Sequence, residues 1–144
     1  MSQIRPIDLA TDLAILRKWW DGHGALSVPE NLLAQGCICT SGGVDICAAF
    51  YYMDVSGRIA VIEWLTTNPS VAFSRYLVDD VRRLIAHIEA LAYAQCDKAG
   101  SKGCTILSFV APGTGEERLW KSIGYTTSEG PSHRIYAKTT IPSP

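Results

Sequence analysis

No run of about 18 apolar residues occurs in this 144-residue chain, so the sequence offers no candidate for a membrane-spanning helix. Its first residues carry charge and lack the apolar stretch of a secretory leader, and a soluble, cytoplasmic protein is expected. Charge of either sign is scarce: 13 basic and 14 acidic residues leave a net charge of −1. The basic residues are scattered, with no cluster larger than a pair such as Arg82-Arg83, so no surface for nucleic acid or an anionic membrane is expected. Repeats, low-complexity tracts and linkers are also missing. The five cysteines (Cys37, Cys39, Cys47, Cys96 and Cys104) include no CxxC pair. The three histidines, His23, His87 and His133, lie far apart in sequence, so no metal site is expected. Buried thiols in a reducing compartment are the simpler reading.

What the chain has is apolar residues, 47% of the total. That is enough for one domain over 1–144 that buries roughly two-thirds of its unfolded surface. A short strand over 3–8 leads to a helix running to about Trp20, capped by Thr11 or Asp8, with Leu9, Leu13, Leu16 and Trp20 on one stripe. Adjacent Trp19 and Trp20 point about 100° apart; one could wall a pocket, against the alternative of core plus partial exposure. Residues 21–24 are a Gly-rich break. A second short helix is expected over 31–35, opened by Pro29 and closed by Gly36. Strands over 36–40, 44–55 and 59–65, joined by turns at 41–43 and 56–57, read as an antiparallel meander. The longest helix is expected from Ser70 to about Ala99, with Leu77, Val81, Leu84, Ile85, Ile88, Leu91 and Ala92 at helical spacing. It leads to an apolar, buried strand over 105–110 of the parallel type. A last strand over 133–139 and a frayed tail complete the chain.

Residues 116–129 are the most specific stretch. Leu119, Trp120 and Ile123 make one apolar face of a helix over 116–123. Gly124 stands where a left-handed residue ends a helix, and Tyr125 can fold back over the last turn. Residues 119–125, Leu-Trp-Lys-Ser-Ile-Gly-Tyr, resemble the "LYEKLGF" ending of the GCN5-related N-acetyltransferase (GNAT) superfamily. The opening Ile4-Arg5-Pro6 with its following helix resembles the entry of the same family, and the element order matches along nearly the whole chain. The resemblance implies an α/β (α+β) fold: a central mixed, mostly antiparallel sheet flanked by helices, with the fourth and fifth strands splayed.

The resemblance also implies acetyl-CoA as cosubstrate, without a metal, and an amine of a small molecule or peptide as acceptor. By carry-over, Leu65, Thr66 and Thr67 would face the acyl-pantetheine, and Ser70, Val71, Ala72, Phe73, Ser74 and Arg75 would form the pyrophosphate loop. The family loop normally carries glycines; this one has none. The Ser70 and Ser74 hydroxyls, first-turn amides and the Arg75 guanidinium are the available replacements. Trp120 stands where many members have a tyrosine acid, and an indole supplies no proton at neutral pH. Glu63, the one carboxylate of the apolar 59–65 strand, is the first candidate base, against an outward-facing role on a wet sheet face. His23, between two glycines in the loop bordering the acceptor pocket, is the second, against a solvated loop position. A protein of this fold that has lost CoA chemistry and binds a ligand or runs another reaction is the alternative. Open sheet edges allow a homodimer.

Overall fold

The computed structural model describes residues 2–25, 28–33, 35–110, 114–128 and 134–140. Its strands are β1 (Ser2–Pro6), β2 (Gln35–Ser41), β3 (Val44–Met53), β4 (Ile59–Thr67), β5 (Cys104–Val110), β6 (Thr126–Ser128) and β7 (Arg134–Thr140). Its α-helices are α1 (Leu9–Gly22), α2 (Arg75–Lys98) and α3 (Gly115–Ser122). The seven strands form one sheet in the order β1-β2-β3-β4-β5-β7-β6. The chain falls into two compact units, Met1–Phe50 with Trp64–Ile88 and Tyr51–Glu63 with Glu89–Pro144.

In the first unit, β1 pairs antiparallel with β2 from Ser2↔Ser41 to Pro6↔Cys37. Asp8 caps α1, its carboxylate accepting the Ala10 N–H at 3.0 Å. This decides between Asp8 and Thr11: an aspartate just before the helix can reach a free first-turn amide. Arg5 grips Asp12 with two bonds, 2.7 and 3.0 Å, joining β1 to the first turn of α1. Leu16 is fully buried, and Trp19 and Trp20 are both buried, so neither tryptophan shows the partial exposure of the alternative. The Trp20 ring lies 6.2 Å from that of Phe50. Cys37, Ile38 and Cys39 are all buried in β2, as are Ile46 to Tyr51 in β3, because both faces of these central strands are covered. The helix expected over 31–35 is a single 3-10 turn, Glu30–Leu32, and Gln35 already belongs to β2. One turn is all that fits between Pro29 and the β2 ladder.

In the second unit, β5 pairs with β7 antiparallel from Cys104↔Thr140 to Val110↔Arg134, and β6 adds to β7. β6 has no counterpart among the sequence expectations; three residues are too few for an alternation to register. β5 is not uniformly apolar and buried as expected: Phe109 is 45% exposed and Ser108 is buried. Gly124 has φ +93°, and the Trp120 and Tyr125 rings meet edge-on at 4.7 Å. The Tyr125 hydroxyl donates to Glu89 at 3.0 Å, and Lys138 reaches the other oxygen of that carboxylate at 3.1 Å. All five cysteines are free and buried. Among the described residues no helix is long and apolar enough to cross a membrane. His133 lies outside the described residues.

Candidate functional site

The end of β4 departs from regular strand geometry. Its parallel pairing with β5 runs from Ile59↔Thr105 to Val61↔Leu107 and stops there, although β4 continues to Thr67. Trp64 then adopts φ +57°, making it the sole non-glycine residue with positive φ among those described. A left-handed residue inside a strand marks a bulge or kink. Beyond it Thr66 is buried, and its hydroxyl oxygen finds no hydrogen-bond partner. A buried hydroxyl without a partner is costly in a finished fold and suits a place that a ligand completes.

Asn68 anchors the segment between β4 and α2. Its amide donates to the Ile46 carbonyl at 2.8 Å and its side-chain nitrogen to the Asp45 carbonyl at 2.9 Å. Its side-chain oxygen accepts the Ser70 N–H at 2.9 Å, and its carbonyl accepts the Val71 N–H at 3.0 Å. These bonds make an Asx turn, so α2 begins at Arg75 and not at the expected Ser70. Ser74 is the cap: its hydroxyl accepts the Leu77 N–H at 3.2 Å and its carbonyl the Val78 N–H at 3.2 Å. The amides of Ala72, Phe73, Ser74, Arg75 and Tyr76 have no partner among the described residues. Free amides at the positive end of a 24-residue helix favour an anion. Among the described residues the Arg75 guanidinium makes no ion pair, and it lies 5.9 Å from the Tyr76 ring centre. Phe73 is 86% exposed; its bulk points to solvent and leaves the backbone unobstructed by its own ring.

His23, at the end of α1, reaches the same segment. Its Nε2 lies 2.8 Å from the Thr67 carbonyl and 3.1 Å from the Thr67 hydroxyl. A carbonyl only accepts, so Nε2 carries the hydrogen, and in the neutral ring the lone pair sits on Nδ1. Nδ1 has no partner among the described residues. The approach is close: a Cβ on Gly22 would stand 2.7 Å from the Pro69 ring, which is why a glycine is needed there. Of the two candidate bases, then, His23 is joined to Thr67 and the 68–76 segment within one unit. Glu63 belongs to the other unit. It is half-buried, and loss of hydration raises its carboxyl above the ordinary range. Ser70 and Val71 supply no free amide, both being spent on Asn68. Leu65 is half-buried on β4.

On α3, Thr114 caps the first turn and Trp120 is fully buried. The indole N–H donates to Glu116 at 3.2 Å. Burial raises the Glu116 carboxyl, the indole N–H acting in the opposite sense. Asn68 and Glu116 are contributors absent from the sequence-based candidates. The Asn-Pro dipeptide at 68–69 is a turn signal that points to the first; the second shows only once the helix phase is known. Among the described residues no group of three His, Cys, Asp or Glu side chains could hold a metal ion.

The architecture matches solved acetyltransferases. The ribosomal-protein-S18-alanine N-acetyltransferase of Escherichia coli is similar with a TM-score of 0.68 at 16% identity, over 98% of this chain and 94% of that one. An aminoglycoside 6'-acetyltransferase type Ii is similar with a TM-score of 0.71 at 16% identity, over 99% of each chain. The fold is the GNAT fold. Part of the N-acetylglutamate synthase of Neisseria gonorrhoeae, solved with coenzyme A and N-acetyl-glutamate, is similar in structure. It gives a TM-score of 0.69 at 15% identity over 96% of this chain, which spans 35% of that chain. No protein-family model and no curated protein matches this sequence. The expected GNAT features of a β4–β5 pairing that gives out part-way and an ensuing long helix are both present.

Proposed function

We propose that the chain is an acyl-CoA-dependent N-acyltransferase, which moves an acetyl group from acetyl-CoA to an amine of a small molecule or peptide. The observation that carries this reading is the row of five unpartnered amides at 72–76, which succeeds a β4 whose last residues have left the β5 ladder. The residues present fit CoA. The amides and the Arg75 guanidinium suit a pyrophosphate, and the orphaned Thr66 hydroxyl suits an amide of pantetheine. Leu65, Thr66 and Thr67 would line the pantetheine, and Ser70 the edge of the phosphate cradle. When bound, acetyl-CoA supplies the acyl group as a thioester with a readily departing thiolate.

The protein's part is to hold the acceptor and take its proton. Glu63, desolvated and so more basic than a surface carboxylate, removes the proton from the ammonium form of the acceptor. His23, with Nε2 fixed on Thr67, offers Nδ1 as the alternative base. A backbone N–H near Thr66 and Thr67 would face the negative charge that develops on the thioester oxygen. Trp120 has its N–H committed to Glu116, so the thiolate leaves without the acid that many GNAT enzymes use; positioning supplies the acceleration.

A second reading, a GNAT fold that has lost CoA chemistry, draws on the glycine-free loop and on that committed Trp120. Thermal melting separates the two. Acetyl-CoA at 100 times its dissociation constant stabilises by about 2.7 kcal/mol, a rise of several degrees, at roughly 2–4 °C per kcal/mol or more for a chain of this size, whereas ATP at the same concentration leaves the midpoint lower. An unmoved midpoint at millimolar acetyl-CoA would sink the enzymatic reading.

A further inference from the structure

A separate cleft lies wholly in the second unit, at the first residues of β4 and thus at the opposite end of that strand from Thr66. It has a volume of about 390 Å³ and is lined by Ser56, Arg58, Ala99, Gly100, Ser101 and Lys102. One wall is the turn between β3 and β4; the other is the connection from α2 to β5.

Both walls are fixed. Asp54 accepts the N–H groups of Ser56 (3.1 Å), Arg58 (3.0 Å) and Ile59 (2.9 Å), and the Ser56 hydroxyl as well. The Arg58 carbonyl accepts the Thr105 N–H at 2.9 Å, so the arginine backbone is tied on both sides. Gly57 (φ +66°) sits so close to Ala99 that a Cβ would come within 2.4 Å of the alanine methyl, which locks the turn onto the end of α2. On the other wall the Ser101 N–H donates to the Cys96 carbonyl at 2.9 Å and its hydroxyl to the Gly103 carbonyl at 2.7 Å.

Within this fixed frame two cationic side chains stand beside the carbonyl end of α2. Among the described residues Arg58 and Lys102 make no ion pair, and the Lys102 amide has no partner. The nearby Asp54 carboxylate stays ionised, its pKa held down to about 2 chiefly by the Ser56 hydroxyl, and its oxygens are turned to the donors of its own turn. The two serine hydroxyls have given their hydrogens to protein acceptors. The donors left to face a ligand are therefore a guanidinium, an ammonium and one amide. A guanidinium matches two oxygens of a phosphate at once, and an ammonium adds a compact charge. The volume exceeds what a bare phosphate needs.

The geometry points to a binding site for the phosphate monoester of a small polyol or sugar, its dianion held between Arg58 and Lys102. This inference does not rest on the acyl-transfer reading. Calorimetric titration of the full chain with glucose 6-phosphate, inorganic phosphate and glucose tests it. The expected order is the ester at least tenfold tighter than inorganic phosphate, and no heat from glucose. Arg58→Gln and Lys102→Gln should each weaken the ester about tenfold, with melting midpoints unchanged because neither side chain holds an ion-pair partner among the described residues. Arg75→Ala should leave the ester affinity intact. An ester no tighter than phosphate, an affinity that survives the Arg58→Gln/Lys102→Gln double substitution, or one lost on Arg75→Ala would each overturn the assignment.

Discussion

Glu63 and Asp12 are carboxylates whose surroundings push them in opposite directions. Desolvation raises Glu63, so the fold favours its neutral form. The stability this contributes is present below the ordinary glutamate pKa and is lost as pH rises through the raised value. Glu63→Gln should therefore raise the melting midpoint at pH 8, with the gain vanishing near pH 4. If Glu63 is the base, the same substitution lowers kcat by about 100-fold or more. Higher stability together with undiminished kcat would remove it from the chemistry. Asp12 is lowered, first by its bonds with Arg5 and then by the Asp8 amide. Its contribution is present above the ordinary aspartate pKa and is lost as pH falls through the lowered value. Asp12→Ala should cost about 1–2 kcal/mol at pH 7, the partial exposure of Arg5 limiting the loss. Denaturant titrations should show the difference from wild type closing as pH falls below the ordinary aspartate range; a gap that persists in strong acid would assign the effect to packing.

The start of α2 combines a stability feature with a candidate binding feature. Ser74→Ala removes the cap and should cost about 1 kcal/mol. Ser74→Asp keeps the cap but places a negative charge among the free amides. It should preserve the melting midpoint while weakening acetyl-CoA several-fold, measured by titration; equal affinity in the two proteins would argue against an anion at 72–76. These elements are unequally legible in the sequence. The α2 stripe from Leu77 to Ala92 spans many turns and shows plainly, as does Gly124, where only a left-handed residue ends α3. The start of α2 lies five residues beyond the expected position because Asn68 diverts the Ser70 and Val71 amides into a turn, a local competition that helical spacing does not reveal. The 3-10 turn and β6 each span three residues, too short for either pattern to register. The link between His23 and Thr67 joins positions 44 apart and depends on tertiary structure alone.

The two compact units are not consecutive stretches of chain. The backbone passes from one to the other after Phe50, Glu63 and Ile88, each time inside β3, β4 or α2. Neither unit can melt without fraying an element that the other needs. The whole chain should unfold in one transition, with calorimetric and van't Hoff enthalpies equal within error. Two resolved heat-capacity peaks would contradict this.

A receptor loop built from alanine, phenylalanine and serine has fewer backbone shapes to give up than one built from glycine. In the proposed CoA site, the 68–71 turn, pinned by Asn68, would gain little order on binding, which keeps the entropic resistance to association small. The cost is adaptability. On the proposed reading, a glycine-free rim would re-form poorly around a larger or differently spaced pair of phosphoryl groups, so lengthening the bound diphosphate by one phosphate should sharply reduce its retention.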